Sequence, residues 1–277
     1  MTNRALVLGG GGVTGVAWEL GLLAGLAEAG ADVSGADLVV GTSAGSVVGA
    51  QVAAGLDLAE RYGRQLLGSG NELPARVGIG LLATWLWANI RHRDRQAARA
   101  RIGRQALQAR TVPEAERREV IASRLGVADW PDRELRITAV DAESGEFVVF
   151  DRNSGVGLVD AVGASCAVPG VWPPVTINGR RYIDGGMRTP TNADVAAGAG
   201  QIVVIAPISR GFGPSSSPVR QVARLAGTRA VVITPDRAAR QAIGRNVLDP
   251  SRRAYAATAG HDQAATVADA VAAVWSD

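Results

Sequence analysis

Residues 38–46 read Leu-Val-Val-Gly-Thr-Ser-Ala-Gly-Ser, and this order constrains the chain more than any other stretch. A short β-branched run leads straight into Gly-x-Ser-x-Gly, and residues 47–54 then have the character of a buried helix. Strand, tight turn and helix in that order form the context of a nucleophile elbow. The turn holds its serine in a strained backbone conformation, so the residues two positions to either side must lack a bulky Cβ. Gly41 and Gly45 meet that requirement around Ser43. The helix beginning after Ser43 would also aim its free N–H groups at negative charge developing on a bound carbonyl. The plainer alternative is a small-residue turn of any α/β protein, and the rest of the chain has to decide.

The same strand-then-turn grammar recurs. Residues 4–8 form a first strand ending in Gly9-Gly10-Gly11-Gly12, followed by helical spacing from Val13 to Ala29, with Gly30 as the stop. Residues 56–110 read as mainly helical, and Glu114–Arg124 as a further amphipathic helix. Two strands, 134–140 and 147–150, flank a hairpin turn at 143–146; a short helix spans Leu158–Ser165. Arg181-Tyr182-Ile183 then delivers Asp184-Gly185-Gly186. A helix, the strand 202–205, a Gly/Pro/Ser loop at 211–218, a helix, the strand 231–233 and a helical C-terminus complete the chain. Strands alternating with helices predict an α/β fold, a mainly parallel central sheet with helices on both faces. With no internal repeat and no convincing linker, residues 1–277 are expected to form one domain.

Loops that follow strand C-termini in a parallel sheet share one edge. The glycine run, the Ser43 elbow and the Asp184 turn are therefore expected to meet. A serine, a carboxylate and a nest of backbone N–H groups are the parts of an acyl-transfer site: nucleophile, base and oxyanion hole. Gly10-x-Gly12-x-x-Gly15 also fits a dinucleotide fingerprint, but that fold expects an acidic residue at the end of its second strand. Here the second strand ends in Gly41-Thr42-Ser43, and Asp37 lies at its start.

Four blocks carry a resemblance: residues 6–15, Gly41-Thr42-Ser43-Ala44-Gly45, the Ala164–Pro174 segment (Ala-Ser-Cys-Ala-Val-Pro-Gly-Val-Trp-Pro-Pro) and Asp184-Gly185-Gly186. In order and spacing they resemble the patatin-like phospholipase family from about residue 4 to 190. The resemblance implies a patatin-like fold and hydrolysis of fatty-acyl esters of phospholipids and other lipids by a Ser–Asp dyad, without cofactor or metal. Carried over by position, it makes Ser43 the nucleophile and Asp184 the base, with the amides of Gly10, Gly11 and Gly12 as the oxyanion hole. Thr14 departs from the pattern, because many members have Arg or Lys there. Two alternatives stay open: an acyltransferase using the same dyad, and a non-catalytic lipid- or nucleotide-binding α/β protein.

Composition narrows the chemistry. All 29 basic residues are arginine, so a Ser–Lys dyad, a Schiff base and a phosphate-loop lysine are excluded. Net charge is only +3, and the arginines carry no RNA-reading motif, so no nucleic-acid partner is expected. Cys166 is the only cysteine and reads as a small buried hydrophobe. His92 and His261 are the only histidines, which argues against a zinc site; no calcium loop is visible. Ser43, Asp184 and His261 do follow the chain order of an α/β-hydrolase triad, but only one strand precedes the elbow and no strand delivers His261. No secretory signal or membrane span is evident, so a soluble cytoplasmic protein is expected. Residues 79–110 are ambiguous. Trp85 and Trp87 lead into Arg91, Arg93, Arg95, Arg99, Arg101 and Arg104, which suits either a core helix running into a solvated one or a peripheral membrane contact.

Overall fold

A computed structural model describes residues 3–67, 75–91, 94–211 and 216–276; within helix 79–91 the side chains of Ile79, Leu82, Leu86, Asn89, Ile90 and Arg91 are not described. His92, Arg93 and residues 212–215 of the expected Gly/Pro/Ser loop lie outside the described residues. In chain order the elements are β1 (Arg4–Leu8), α1 (Gly12–Glu28), β2 (Leu38–Gly41), α2 (Ala44–Ala53), α3 (Leu58–Leu66), α4 (Ile79–Arg91), α5 (Arg95–Gln108) and α6 (Glu114–Leu125). There follow β3 (Glu134–Asp141), β4 (Phe147–Phe150), α7 (Leu158–Ser165), β5 (Val175–Ile177), β6 (Arg180–Asp184), β7 (Gln201–Ile205), α8 (Pro218–Val222), β8 (Arg229–Ile233), α9 (Arg237–Ile243) and α10 (Arg253–Trp275).

Eight strands form one sheet in the order β5-β6-β3-β2-β1-β7-β8, with β4 on β3. The five strands β3, β2, β1, β7 and β8 are mutually parallel, whereas β4 and β6 run antiparallel to β3, and β5 antiparallel to β6. β1, β2 and β7 are apolar after the first residues of β1 and β7, Arg4 and Gln201, because both faces of the sheet are covered. Leu6, Leu8, Val39, Ile137, Val203 and Ile205 point to one face, in a core with residues of α1, α2, α6, α7 and α10. Ala5, Val7, Val40, Ile202 and Val204 point to the other, under Ala193, Ala196, Val222 and Leu225. Val140 and Ile183 continue that second face beneath Trp85, Ala88, Ile102 and Ala106 of α4 and α5.

The register of β3 organises the site. Ile137 stands between Gly41 and Phe150, and Ala139 between Val148 and Asp184. Two different strands, β2 and then β6, therefore occupy one edge of β3, running toward each other, while β4 takes the opposite edge. The C-termini of β2 and β6 meet head-on. The Asp184 turn thus reaches the elbow through an antiparallel strand, not through the common-edge rule of parallel strands from which the convergence was expected.

α1 is buried nearly all round rather than on one stripe, because α10 covers its outer side. The approach is close: a Cβ on Gly21 would lie 2.0 Å from the Ala257 carbonyl oxygen, and one on Gly260 would lie 2.2 Å from that of Trp18. Trp18 donates its indole N–H to Gln263, whose amide donates in turn to the Thr234 carbonyl. One local expectation is corrected and two features add to what was expected. The helix expected after Gly186 is only two short 3₁₀ turns, 185–187 and 193–196, since Pro190 supplies no amide donor and Asn192 adopts a left-handed conformation. β5 was not anticipated; three residues after Pro173-Pro174 carry too short a pattern to read. The helical stretch 56–110 is three separate helices. Among the described residues, no helix is long and apolar enough to cross a membrane.

Replacement of Gly260 by Ala is expected to destabilise by about 1–3 kcal/mol, because the added methyl meets backbone that cannot swing away, and to lower Tm by several degrees. Gly63→Ala, on α3 with open space around the new methyl, is expected to raise Tm slightly, as helix propensity alone dictates. Thermal denaturation of the two variants separates close packing from a generic intolerance of glycine replacement.

Candidate active site

Ser43 lies between β2 and α2 with φ 53° and ψ −115°, a conformation that L-residues sustain only when surrounding structure enforces it. The enforcement is visible. Ser43 donates its backbone N–H to Ser165 Oγ at 2.9 Å. Its carbonyl oxygen accepts from Ser46 Oγ at 2.6 Å and from Cys166 Sγ at 3.3 Å. A Cβ on Gly41 would sit 2.5 Å from the Cα of Ser46, and one on Gly45 would sit 2.1 Å from the Leu8 carbonyl oxygen. The elbow glycines are therefore demanded by backbone contact on both sides of the serine.

Asp184 ends β6 and is nearly fully buried. Its Oδ1 accepts the Gly186 amide at 2.7 Å, and its own amide donates to the Ala167 carbonyl. Burial pushes its pKa from 3.8 up to about 6; the Ser43 hydroxyl beside it and the Gly186 amide favour the charged form and temper that rise. The turn is clamped from beneath by a polar cluster absent from the sequence expectations. Asn192 Nδ2 lies 3.0–3.3 Å from Thr42 Oγ1, Thr138 Oγ1 and the carbonyl oxygens of Gly185 and Thr189. Thr42 and Thr138 share a hydrogen bond of 2.8 Å. One buried amide thus ties the residue before Ser43 to the residue after Asp184. The sequence signal was slight: an asparagine in a Thr-Pro-Thr-Asn turn.

The glycine loop is bonded to both other turns. Gly9 accepts the Gly45 amide at 2.9 Å, and Gly10 donates its amide to the Pro190 carbonyl at 2.7 Å. The amide of Gly10 is thereby already engaged, which corrects the expectation that all three loop amides face a substrate oxygen. A Cβ on Gly10 would meet only ordinary contacts, the nearest at 3.5 Å from Ser43 Cβ. Among the described residues no acceptor takes the amides of Gly11 and Gly12. Gly12 has φ +59°, and a Cβ on it would collide with the Val247 carbonyl oxygen at 2.5 Å, so both conformation and space require glycine. Below the loop, Glu19 of α1 is wholly buried. Burial holds its carboxyl well above the usual range, offset only in part by the Gly9 amide.

Ser43 opens into a cavity of about 20 Å³ bordered by Val13, Val16, Val47, Val168, Trp172 and Leu248, room for about one water molecule. Arg117 and Arg124 of α6 also border it; Arg117 is buried, with its guanidinium 3.9 Å from the Trp172 ring centre. They bring to the pocket the positive charge that Thr14 does not. Thr14 instead directs its hydroxyl to the Val247 carbonyl. Burial and the Asp184 charge push the Cys166 thiol up to about 11, which suits its support of the elbow and not thiolate chemistry. His261 is not at the site. It sits on α10 within 3.0 Å of Glu28 and stacks on Tyr62, about 20 Å along α1 from the glycine loop at 1.5 Å per residue. Among the described residues no group of three His, Cys, Asp or Glu could hold a metal ion.

Residues 6–197 match the family described as patatin-like phospholipase. The fold is similar to the crystal structure of VipD from Legionella pneumophila, with a TM-score of 0.52 and 15% identity, over 98% of this chain and 67% of that one. The type III effector protein ExoU aligns with a TM-score of 0.42 and 18% identity, over 98% of this chain and 53% of its own.

The raised pKa of Asp184 has a consequence for stability. A carboxyl whose folded-state pKa lies above its unfolded value favours the fold fully below about pH 4, and that contribution disappears as pH rises through about 6. At pH 8 the buried charge therefore counts against the fold. Asp184→Asn is expected to melt several degrees higher than the parent at pH 8, with the difference shrinking from pH 6 to pH 4. An equal difference at all pH values would contradict the buried-charge assignment.

Proposed function

The chain belongs to the patatin-like phospholipase family, whose members hydrolyse lipid esters, and on that premise we propose that Ser43 and Asp184 form its catalytic dyad. One observation carries the reading. The strained Ser43 presents its hydroxyl to a buried carboxyl with a pKa of about 6, so at neutral pH a carboxylate of more than ordinary basicity stands where a serine proton must go.

In this mechanism Ser43 Oγ attacks the ester carbonyl carbon while its proton passes to Asp184. The amides of Gly11 and Gly12, with the N-terminus of α2, face the tetrahedral oxyanion; such donors typically contribute about 100-fold or more each. Collapse expels the alcohol, which takes the proton from Asp184, and leaves an acyl-enzyme. Water then attacks the acyl carbon, passes its proton through Asp184 back to Ser43 Oγ, and frees the fatty acid. Arg117 and Arg124 favour substrates with anionic phosphate near the ester. A cavity of about 20 Å³ does not admit an acyl chain, so substrate access requires Val16, Val168, Trp172 and Leu248 to part.

We also propose a peripheral membrane contact within 79–110, carried by only one of its two tryptophans. Trp85 is buried among Ile102, Ala106 and Val140 and belongs to the core. Trp87 is 49% exposed, with the Arg101 guanidinium 4.6 Å from its ring centre, an aromatic–cation pair of the kind found at the lipid interface.

Ser43→Ala and Asp184→Asn are each expected to lower kcat/KM on a soluble chromogenic ester by several orders of magnitude, and a fluorophosphonate probe should label the parent on Ser43 alone. His261→Ala should stay within about two-fold of the parent. In the parent, kcat/KM should fall about tenfold per pH unit below pH 6 and level off above it, since only the carboxylate accepts the proton. An inactive, folded His261→Ala enzyme would overturn the dyad.

Trp87→Ala should leave Tm within a degree or two and soluble-ester activity intact, while activity on anionic vesicles drops several-fold. Trp85→Ala should lose about 3–5 kcal/mol of stability. A Trp87→Ala enzyme with full vesicle activity would remove this residue from the membrane contact.

A further inference from the structure

A second concavity lies on the other side of the sheet from Ser43. The pocket at Ser43 is bordered by α1, α2 and α6, on the face carrying Leu6 and Leu8. The second, a cleft of about 410 Å³, is bordered by α5, the turn after Asp184 and the end of α8, elements that pack on the opposite face. Four guanidiniums reach it, from Arg95, Arg99, Arg188 and Arg224, against a single carboxylate in its lining, Asp194.

That carboxylate is already engaged. Arg188 donates to both Asp194 oxygens at 2.9 and 2.6 Å, and to Asn192 Oδ1 at 3.1 Å. Arg99 gives its Nε to the Gly145 carbonyl, which neutralises no charge, and Asp194 pairs with Arg188 rather than with Arg224. Asp94, the cap of α5, is the other acid near Arg99. Burial first, and then the neighbouring Arg188 charge, lower the pKa of Arg99 more than Asp94 restores it. A volume within the usual 300–1,000 Å³ of small-molecule sites leaves room for more than a bare anion, and Leu225 supplies an apolar wall.

We propose that this cleft binds a phosphate monoester, held by Arg99 and Arg224 beside the Arg188–Asp194 pair, either as a soluble metabolite or as the headgroup of a phosphomonoester lipid. A doubly charged tetrahedral anion matches the two guanidiniums, of Arg99 and Arg224, that Asp194 does not pair, and guanidinium forks bond phosphate oxygens in pairs. The site stands independently of the roles proposed for Ser43 and Asp184. It shares Arg188 with the clamp around Asn192, whose amide reaches the Gly185 carbonyl at 3.2 Å, so an occupant would contact the Asp184 turn from behind.

Titration calorimetry with glycerol 3-phosphate, at ionic strength matched with sodium chloride, tests the soluble form. Sedimentation with phosphatidylcholine vesicles, with and without phosphatidic acid, tests the lipid form. Arg99→Gln combined with Arg224→Glu is compared with the parent in both assays, and Arg224→Glu alone, at an exposed position, is the variant that keeps the fold if loss of the Arg99–Gly145 bond does not. Glycerol 3-phosphate binding that weakens tenfold or more in the variants supports the proposal and identifies a soluble ligand. Phosphatidic-acid-dependent sedimentation that weakens by that factor, without glycerol 3-phosphate binding, supports it and identifies a headgroup. Folded variants that match the parent in both assays, or a parent that binds neither probe beyond the salt control, would overturn it.

Discussion

The candidate site depends on the edge of β3. Eight residues long, β3 carries β2 along the first half of one edge and β6, running in the opposite direction, along the second. Two strands aligned on the same ladder cannot overlap, so the chain must leave β2 at Gly41, and β6 must stop at Asp184. The hydroxyl of Ser43 and the carboxyl of Asp184 meet because the hydrogen-bond ladder of a third strand positions both. The ladder is a rigid ruler, and side chains placed by such elements are held more tightly than groups on loops.

This arrangement carries two destabilising features at one point: a non-glycine residue at positive φ, and a carboxyl withdrawn from water. Each is offset locally. Ser165, Ser46 and Cys166 satisfy the backbone of the elbow. Asn192, Thr42 and Thr138 satisfy one another beneath the Asp184 turn. Buried polar groups cost free energy when unpaired and confer a unique geometry when paired. Further support is remote: α10 presses α1 against the sheet through contacts that only glycine permits, and α1 begins at the glycine loop.

The two faces of the sheet divide the molecule's polarity. On one, a small, mostly apolar pocket with a pair of arginines surrounds Ser43. On the other, an open arginine-lined cleft backs onto the same Asp184 turn. Trp85 and Trp87 show the same division within one helix, two residues apart. One packs on Val140 and Ile183, and the other faces solvent beside Arg101.

Local motifs made much of this legible from the sequence. Gly-x-Ser-x-Gly after a β-branched run, four consecutive glycines after another, and Asp-Gly-Gly after a third encode backbone shapes that few sequences can adopt, so Ser43, Asp184, Gly41, Gly45 and the α/β alternation were read directly. What a residue's neighbours along the chain do not specify was decided by tertiary structure alone. The direction of β6 was one such matter, since an isolated strand carries no sign of which way its partner runs. The engagement of Gly10 with Pro190 was another, because the acceptor lies 180 residues away in the sequence. Nothing in the motif or the helix that holds them marked Ser165, Arg117, Arg124 or Asn192 for a part in the site, and their importance comes from what they touch. Local sequence sets the shape of each turn; only the folded ladder sets which turns meet, because hydrogen-bond partners across a sheet are chosen by register and not by spacing along the chain.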